Sequence, residues 1–223
     1  MTIFTIKIIA CITMILDHIK YAIPITENWI TIYLGRIAFP LFAFFITEGY
    51  IHTSNLKKYF KRLFIFGLIS QIPFMLFRTL VGEWKMLNIM FTLLLGLLAI
   101  TAYDKINKKY ISIPICIFFI ALGEILKVDY GWFGVALVIL IYLCRNRKCT
   151  LMILYIALLI MFFCYNKMLV FHHIYIKYFI CYLIPIIFII LYNGKQGRKL
   201  KYFFYAFYPV HMIVLYIIAV LIK

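Results

Sequence analysis

A chain of 223 residues with 67% hydrophobic side chains, 13% charged residues and a mean hydropathy of +1.06 has more apolar surface than a soluble core requires, which excludes a water-soluble globular domain. The net charge of +16 would suit a nucleic-acid partner, but the 23 Lys and Arg residues sit in short clusters between apolar runs. That is the pattern of orientation signals beside anionic lipid, so a lipid bilayer and not nucleic acid is the expected partner.

A helical span needs roughly 17 to 25 apolar residues. About nine such runs, with eight to ten as the range, follow in chain order: 3–23, 29–51, 61–80, 86–104, 111–127, 130–144, 149–165, 172–192 and 201–222. The sixth and seventh are short. The expected fold is an all-α, polytopic integral membrane bundle forming one domain over residues 1–223, with no internal repeat and no Pro/Gly-rich linker. Apolar runs recur to the last residue, so the first is expected to be a permanent span and not a cleaved signal. Cys11, Cys116, Cys144, Cys149, Cys164 and Cys181 fall mostly within or at the ends of these runs, without CxxC spacing, and read as apolar fillers.

Basic loops follow the second run (Lys57, Lys58, Lys61, Arg62), the fourth (Lys105, Lys108, Lys109), the sixth (Arg145, Arg147, Lys148) and the eighth (Lys195, Arg198, Lys199, Lys201). The opposite loops, among them "PITEN" and "VGEWK", carry few cations. The positive-inside rule therefore places the N-terminus and the basic loops in the cytoplasm, and an odd span count would leave the C-terminus outside. The expected location is the cell membrane, crossed many times.

With that orientation, polar residues sort by depth at about 1.5 Å per residue. Asp17, His18, Arg36 and Asn88 fall toward the outer side, Gln71 near the middle, and Lys7, Glu48 and His52 toward the inner side with the Lys57 to Arg62 cluster. Ionisable groups at such depth cost several kcal/mol unless paired or hydrated, which makes each of them a site candidate. Asp17 with Arg36 reads equally as a buried lock between the first two spans and as part of a catalytic group. His18 shares its level with a carboxylate and a guanidinium, a setting in which an imidazole can be oriented as a proton acceptor.

Lys7 and His18 are eleven residues apart on one helix, about three turns, which puts them on one face with about 16 Å between them. An extended pantetheine arm has that reach, so a cation near the cytoplasmic face could hold coenzyme A phosphates while the thioester meets His18. From spacing alone, a lysine snorkelling to the interface is the simpler account of Lys7. Glu48 and His52, four apart, can pair on one face beside the basic loop. That loop reads equally as a topological signal and as a nucleotide-phosphate site. Gln71, Asn88, Tyr208 and His211 add polar groups that more often act as packing glue in membrane helices. No HExxH, GxSxG or carboxylate cluster of metal grade occurs, so no metal is expected.

The stretches "KIIACITMILDHI", "LGRIAFPLFAFFITEGYIHTSNLKKYFKRLFIFGLISQIPF", "NIMFTLLLGLL" and "YNGKQGRKLKYFFYAFYPVHMIVL" resemble the TraX family. The similarity is high in the first hundred residues and returns at the C-terminus. TraX proteins take their name from a conjugation protein that acetylates the N-terminus of pilin, and are grouped with transmembrane acyltransferases that include acyltransferase family 3. In that wider group a basic residue, ten intervening positions and a histidine mark the first helix, a spacing that Lys7 and His18 match.

The resemblance implies that His18 is the catalytic base, with Asp17 beside it and Arg36 and Glu48 in matching stretches. The loop holding Lys58, Lys61 and Arg62 is similar to a paired-arginine acyl-CoA motif but is lysine-rich. Tyr208 and His211 fall in a "YPVH" motif to which the resemblance assigns no role. The expected activity is transfer of acetyl from cytoplasmic acetyl-CoA to an amine or hydroxyl of a pilin-like peptide or surface glycan, with Asp17 or Arg36 orienting His18 and Asn88 or Gln71 stabilising the oxyanion. The rival expectations are a small transporter or flippase, in which the same charges line a path, and a non-enzymatic assembly factor, in which they lock helices.

Overall fold

A computed structural model describes residues 1–23, 29–82, 85–167, 173–198 and 200–222. The "PITEN" loop, Glu83, His172 and Lys199 lie outside the described residues. Every extended apolar run is helical: α1 Ile3–Ala22, α2 Trp29–Leu34, α3 Ala38–His52, α4 Leu56–Arg78, α5 Ile89–Lys105, α6 Lys109–Ile125, α7 Gly131–Cys144, α8 Lys148–Tyr165, α9 His173–Ile190 and α10 Lys201–Ile222. Among the described residues the only β pairing is an isolated parallel bridge between Leu87 and Val128. Among the described residues, three helices, Leu56–Val81, Lys148–Tyr165 and Tyr202–Ile222, are long and apolar enough to cross a membrane. With unsatisfied backbone so costly in lipid, a helix is the conformation such runs must take.

The helix ends follow capping chemistry. Thr2 caps α1 by accepting the Thr5 N–H at 3.3 Å, Asn55 caps α4 by accepting the Lys58 N–H at 2.8 Å, and Asn88 caps α5 by accepting the Met90 N–H at 3.0 Å. A 3₁₀ turn at Thr79–Val81 extends α4, and Gly82 at φ 74° ends it in the left-handed conformation that glycine adopts without strain. The second predicted run is not one continuous α-helix. A 3₁₀ turn, Gly35–Ile37, separates α2 from α3.

The chain forms two compact units. The first comprises residues 1–42, 72–84 and 159–223. Here α1 packs against α2, the Gly35–Ile37 turn, α10 and the Thr79–Val81 turn, while α9 packs on α2 and the Gly35–Ile37 turn. The chain start is tied to the connection between α9 and α10: the Met1 ammonium donates to the Leu191 carbonyl at 2.7 Å, and the Ile3 and Phe4 amides donate to Lys195 and Gln196 at 2.9 and 3.1 Å.

The second unit comprises residues 43–71 and 85–158, with α5, α6 and α7 packed on one another. Leu97, Ile100, Phe133, Leu137 and Ile141 are among the fully buried side chains of these helices. Gly96 brings α5 so close to α7 that a Cβ there would overlap the Val138 side chain.

Candidate functional site

Adjacent residues on a helix point about 100° apart. Asp17 and His18 of α1 therefore meet different neighbours within the first unit. Asp17 faces the Gly35–Ile37 turn, where its Oδ1 accepts from the Arg36 guanidinium at 2.5 Å and from Lys20 Nζ at 3.3 Å. The Asp17 and Arg36 side chains are 15% and 18% exposed, so the pair is largely withdrawn from solvent. The approach depends on Gly35, because a Cβ there would overlap the Cα, Cβ and Oδ1 of Asp17. The Arg36 guanidinium also lies over the Tyr178 ring at 5.8 Å, and Tyr178 meets Tyr33 edge-on at 5.0 Å.

His18 faces α10. Its Nδ1 lies 2.8 Å from the Met14 carbonyl, one turn back on α1, and 3.2 Å from Nε2 of His211. Nδ1 of His211 in turn lies 2.9 Å from the Phe207 carbonyl. Phe207 stacks on the His211 ring at an interplanar angle of 13°, Tyr208 lies beside it at 5.7 Å, and Phe77 meets His18 edge-on at 5.2 Å. Tyr208 and His211 are buried, and His18 is half-buried. Nε2 of His18 has no hydrogen-bond partner among the described residues.

Lys7 meets the same helix that His18 does. Its ammonium lies 5.2 Å from the centre of the Phe204 ring of α10, seven residues before His211. Positions seven apart fall close to one face, so α1 and α10 present Lys7 with Phe204 at one level and His18 with His211 at another.

The geometry bears on the expected roles of Asp17, Asn88 and Gln71. Asp17 accepts its hydrogen bonds from Arg36 and Lys20, whereas the His18 ring is held by Met14 and His211. Both Asn88 Nδ2 hydrogens and the Asn88 amide are spent within the protein, whereas Gln71 Nε2 spends one of its two hydrogens. In the second unit, Asn88 Nδ2 donates to the Gly67 carbonyl at 2.7 Å and to Gln71 Oε1 at 2.9 Å, the Asn88 amide donates to Gln71 Oε1 at 3.0 Å, and Gln71 Nε2 donates to the Met86 carbonyl at 2.8 Å. This network joins α4 to the start of α5, and Asn88 is fully buried within it.

The remaining candidates also lie in the second unit. Glu48 Oε2 is 3.6 Å from His52 Nδ1, which also lies 2.9 Å from the Glu48 carbonyl. Lys58 and Lys61 are exposed, and Arg62 covers the Tyr59 ring at 5.6 Å.

Sequence reasoning missed Asp104. Its two carboxylate oxygens accept from the Tyr50 and Tyr142 hydroxyls, each at 2.7 Å, while Arg145 lies 4.3 Å over the Tyr142 ring. The available signal was scarcity: Asp104 is one of only seven acidic residues in the chain. Among the described residues, no three His, Cys, Asp or Glu side chains are grouped to hold a metal ion.

Membrane-length apolar helices, with a histidine pair and an ion pair arranged around α1, define a helical membrane protein with a polar centre in its first unit. The chain belongs to the TraX family, whose model, described as TraX protein, matches residues 3–219. It is also similar to the probable fimbrial assembly protein FimC, serogroup H1, of Dichelobacter nodosus, with 31% identity over 236 residues covering 95% of this chain and 93% of that protein. No solved structure matches the chain.

Proposed function

We propose that the protein is a membrane-embedded acyltransferase that moves acetyl from acetyl-CoA to an amine or hydroxyl of an acceptor peptide or glycan, with His18 as general base. One observation carries the reading: the His18 ring is fixed through Nδ1 while Nε2 has no hydrogen-bond partner among the described residues. A general base needs that combination of a held ring and an open nitrogen. Nε2 takes the proton as the acceptor nitrogen or oxygen attacks the thioester carbonyl. The carbon–sulfur bond then breaks, and the proton passes to the departing CoA thiolate. A covalent acyl-histidine is not required.

Two further features support the reading. Lys7 lies on α1 toward the chain start and faces the same helix as His18, so it is suited to the phosphates of a donor whose thioester reaches His18. Within the second unit, the exposed Lys58 and Lys61, with Arg62, are a separate cationic candidate for a nucleotide phosphate. The similarity to a protein named for fimbrial assembly favours a pilin-like peptide over a glycan as acceptor.

A non-enzymatic assembly role is favoured by a separate observation, the Asp17–Arg36 pair, which resembles a lock between α1 and the Gly35–Ile37 turn. That assignment fits the pair and leaves His18 unexplained. The decisive experiment supplies full-length protein in nanodiscs with acetyl-CoA labelled in the acetyl group. Intact masses of fimbrial peptides and surface glycans are then compared between cells with and without the gene. An acetyl-sized mass difference on one acceptor supports the reading, and identical masses with no CoA release contradict it.

A further inference from the structure

The three contacts of the histidine pair admit one arrangement of protons for neutral rings. A carbonyl oxygen only accepts, so Nδ1 of His211 must carry the hydrogen that goes to Phe207, which leaves Nε2 of His211 as an acceptor. By the same rule Nδ1 of His18 must carry the hydrogen shared between the Met14 carbonyl and His211 Nε2. The nitrogen of His18 that remains unprotonated is Nε2.

We propose that His211 is the positioning residue of His18. Its Nε2 accepts the Nδ1 hydrogen of His18, holds His18 in the tautomer whose Nε2 is basic, and gives the imidazolium a hydrogen-bond acceptor once Nε2 takes up a proton. It occupies the place that the orienting third group holds in a nucleophile, base and orienter set. A neutral imidazole does so without a second carboxylate, because Asp17 is committed to Arg36 and Lys20. The Phe207 carbonyl and stacked ring fix His211 in turn. The "YPVH" segment thereby acquires a role: its His211 brings α10 to the base on α1.

The kinetic consequence rests on acyl transfer by His18, whereas the tautomer does not, so the two are tested separately. Full-length protein labelled with ¹⁵N-histidine is placed in nanodiscs at neutral pH, and the ring nitrogens of His18 are read by solid-state NMR. A protonated Nδ1 with a bare Nε2 on His18 is expected, and a protonated Nε2 with a bare Nδ1 overturns the proposal.

Two variants give the kinetic readout. His211→Gln keeps an acceptor where Nε2 lies, and His211→Leu removes it. In labelled acetyl-CoA turnover, His211→Leu is expected to lower kcat at least about tenfold with KM for acetyl-CoA within about twofold, and His211→Gln to recover most of that loss. Equal kcat for His211→Leu and the parent chain overturns the proposal, as does a His211→Gln chain that is folded yet as slow as His211→Leu. If the leucine chain does not fold, the parent tautomer and the glutamine chain decide. If the parent chain transfers no acetyl group, the acyltransferase reading fails and the tautomer alone decides the role of His211.

Discussion

Gly35 and Asp17 are in backbone contact across α1 and the Gly35–Ile37 turn, with no space for a side chain at position 35. That contact lets Arg36, the next residue, reach the aspartate directly. A methyl group would either push α1 away or force the turn to open, and overpacking of this kind costs about 1–3 kcal/mol. Gly35→Ala should therefore lower the folded yield and the thermal midpoint in detergent. Gly67→Ala, whose Cβ would meet only ordinary contacts at 3.4 Å, should change both little.

Asp17 and Arg36 can be separated from the chemistry by a double-mutant cycle. Asp17→Asn leaves two cations, Arg36 and Lys20, facing a neutral amide in a largely buried setting, and breaking such a pair costs about 3–5 kcal/mol. Adding Arg36→Gln removes one stranded cation. The double variant should recover part of the loss, with a coupling of about 0.5–3 kcal/mol in thermal or denaturant unfolding. Additive losses would show that the two side chains do not act as a pair.

The Asn88 network predicts a stability effect and no direct catalytic one. Asn88→Ala removes the cap of α5 and the two Nδ2 hydrogen bonds to the Gly67 carbonyl and Gln71 Oε1, a loss of about 1–3 kcal/mol. The folded fraction should keep its acetyl-CoA turnover per molecule. A folded Asn88→Ala chain with strongly reduced kcat would restore an oxyanion role.

The helices were legible because each is an apolar run bounded by charges or turn residues, and the meeting of Asp17 with Arg36 was legible because consecutive spans place the two at one depth. The break at Gly35–Ile37 was not. It lies inside an apolar run without a helix-breaking proline at the turn, and its cause is the partner backbone at Asp17. The His18–His211 contact was invisible for a different reason. The residues are 193 positions apart, and helical periodicity says which face a residue occupies but not which helix covers it. Asn88 looked available because composition records donors but not how they are spent.

Topology gives a prediction that depends on neither chemistry nor stability. Hydrogen bonds from Met1, Ile3 and Phe4 to Leu191, Lys195 and Gln196 put the chain start and the connection between α9 and α10 at one end of the first unit. Together with the cation clusters, this leads to the expectation that reporter fusions after residues 57, 107, 146 and 197 all report cytoplasm. A fusion after residue 197 on the opposite side from an N-terminal tag would contradict the arrangement.

The central claim is that His18 supplies the base, and replacing that side chain alone tests it most directly. His18→Ala removes Nε2 and also the hydrogen bond to His211, so folded yield and binding of acetyl-CoA must be measured beside transfer. The account predicts a folded chain that still binds acetyl-CoA and transfers acetyl roughly 10² to 10⁴-fold more slowly than the parent, the usual contribution of a positioned general base. A folded His18→Ala chain that transfers acetyl at the parental rate would contradict it.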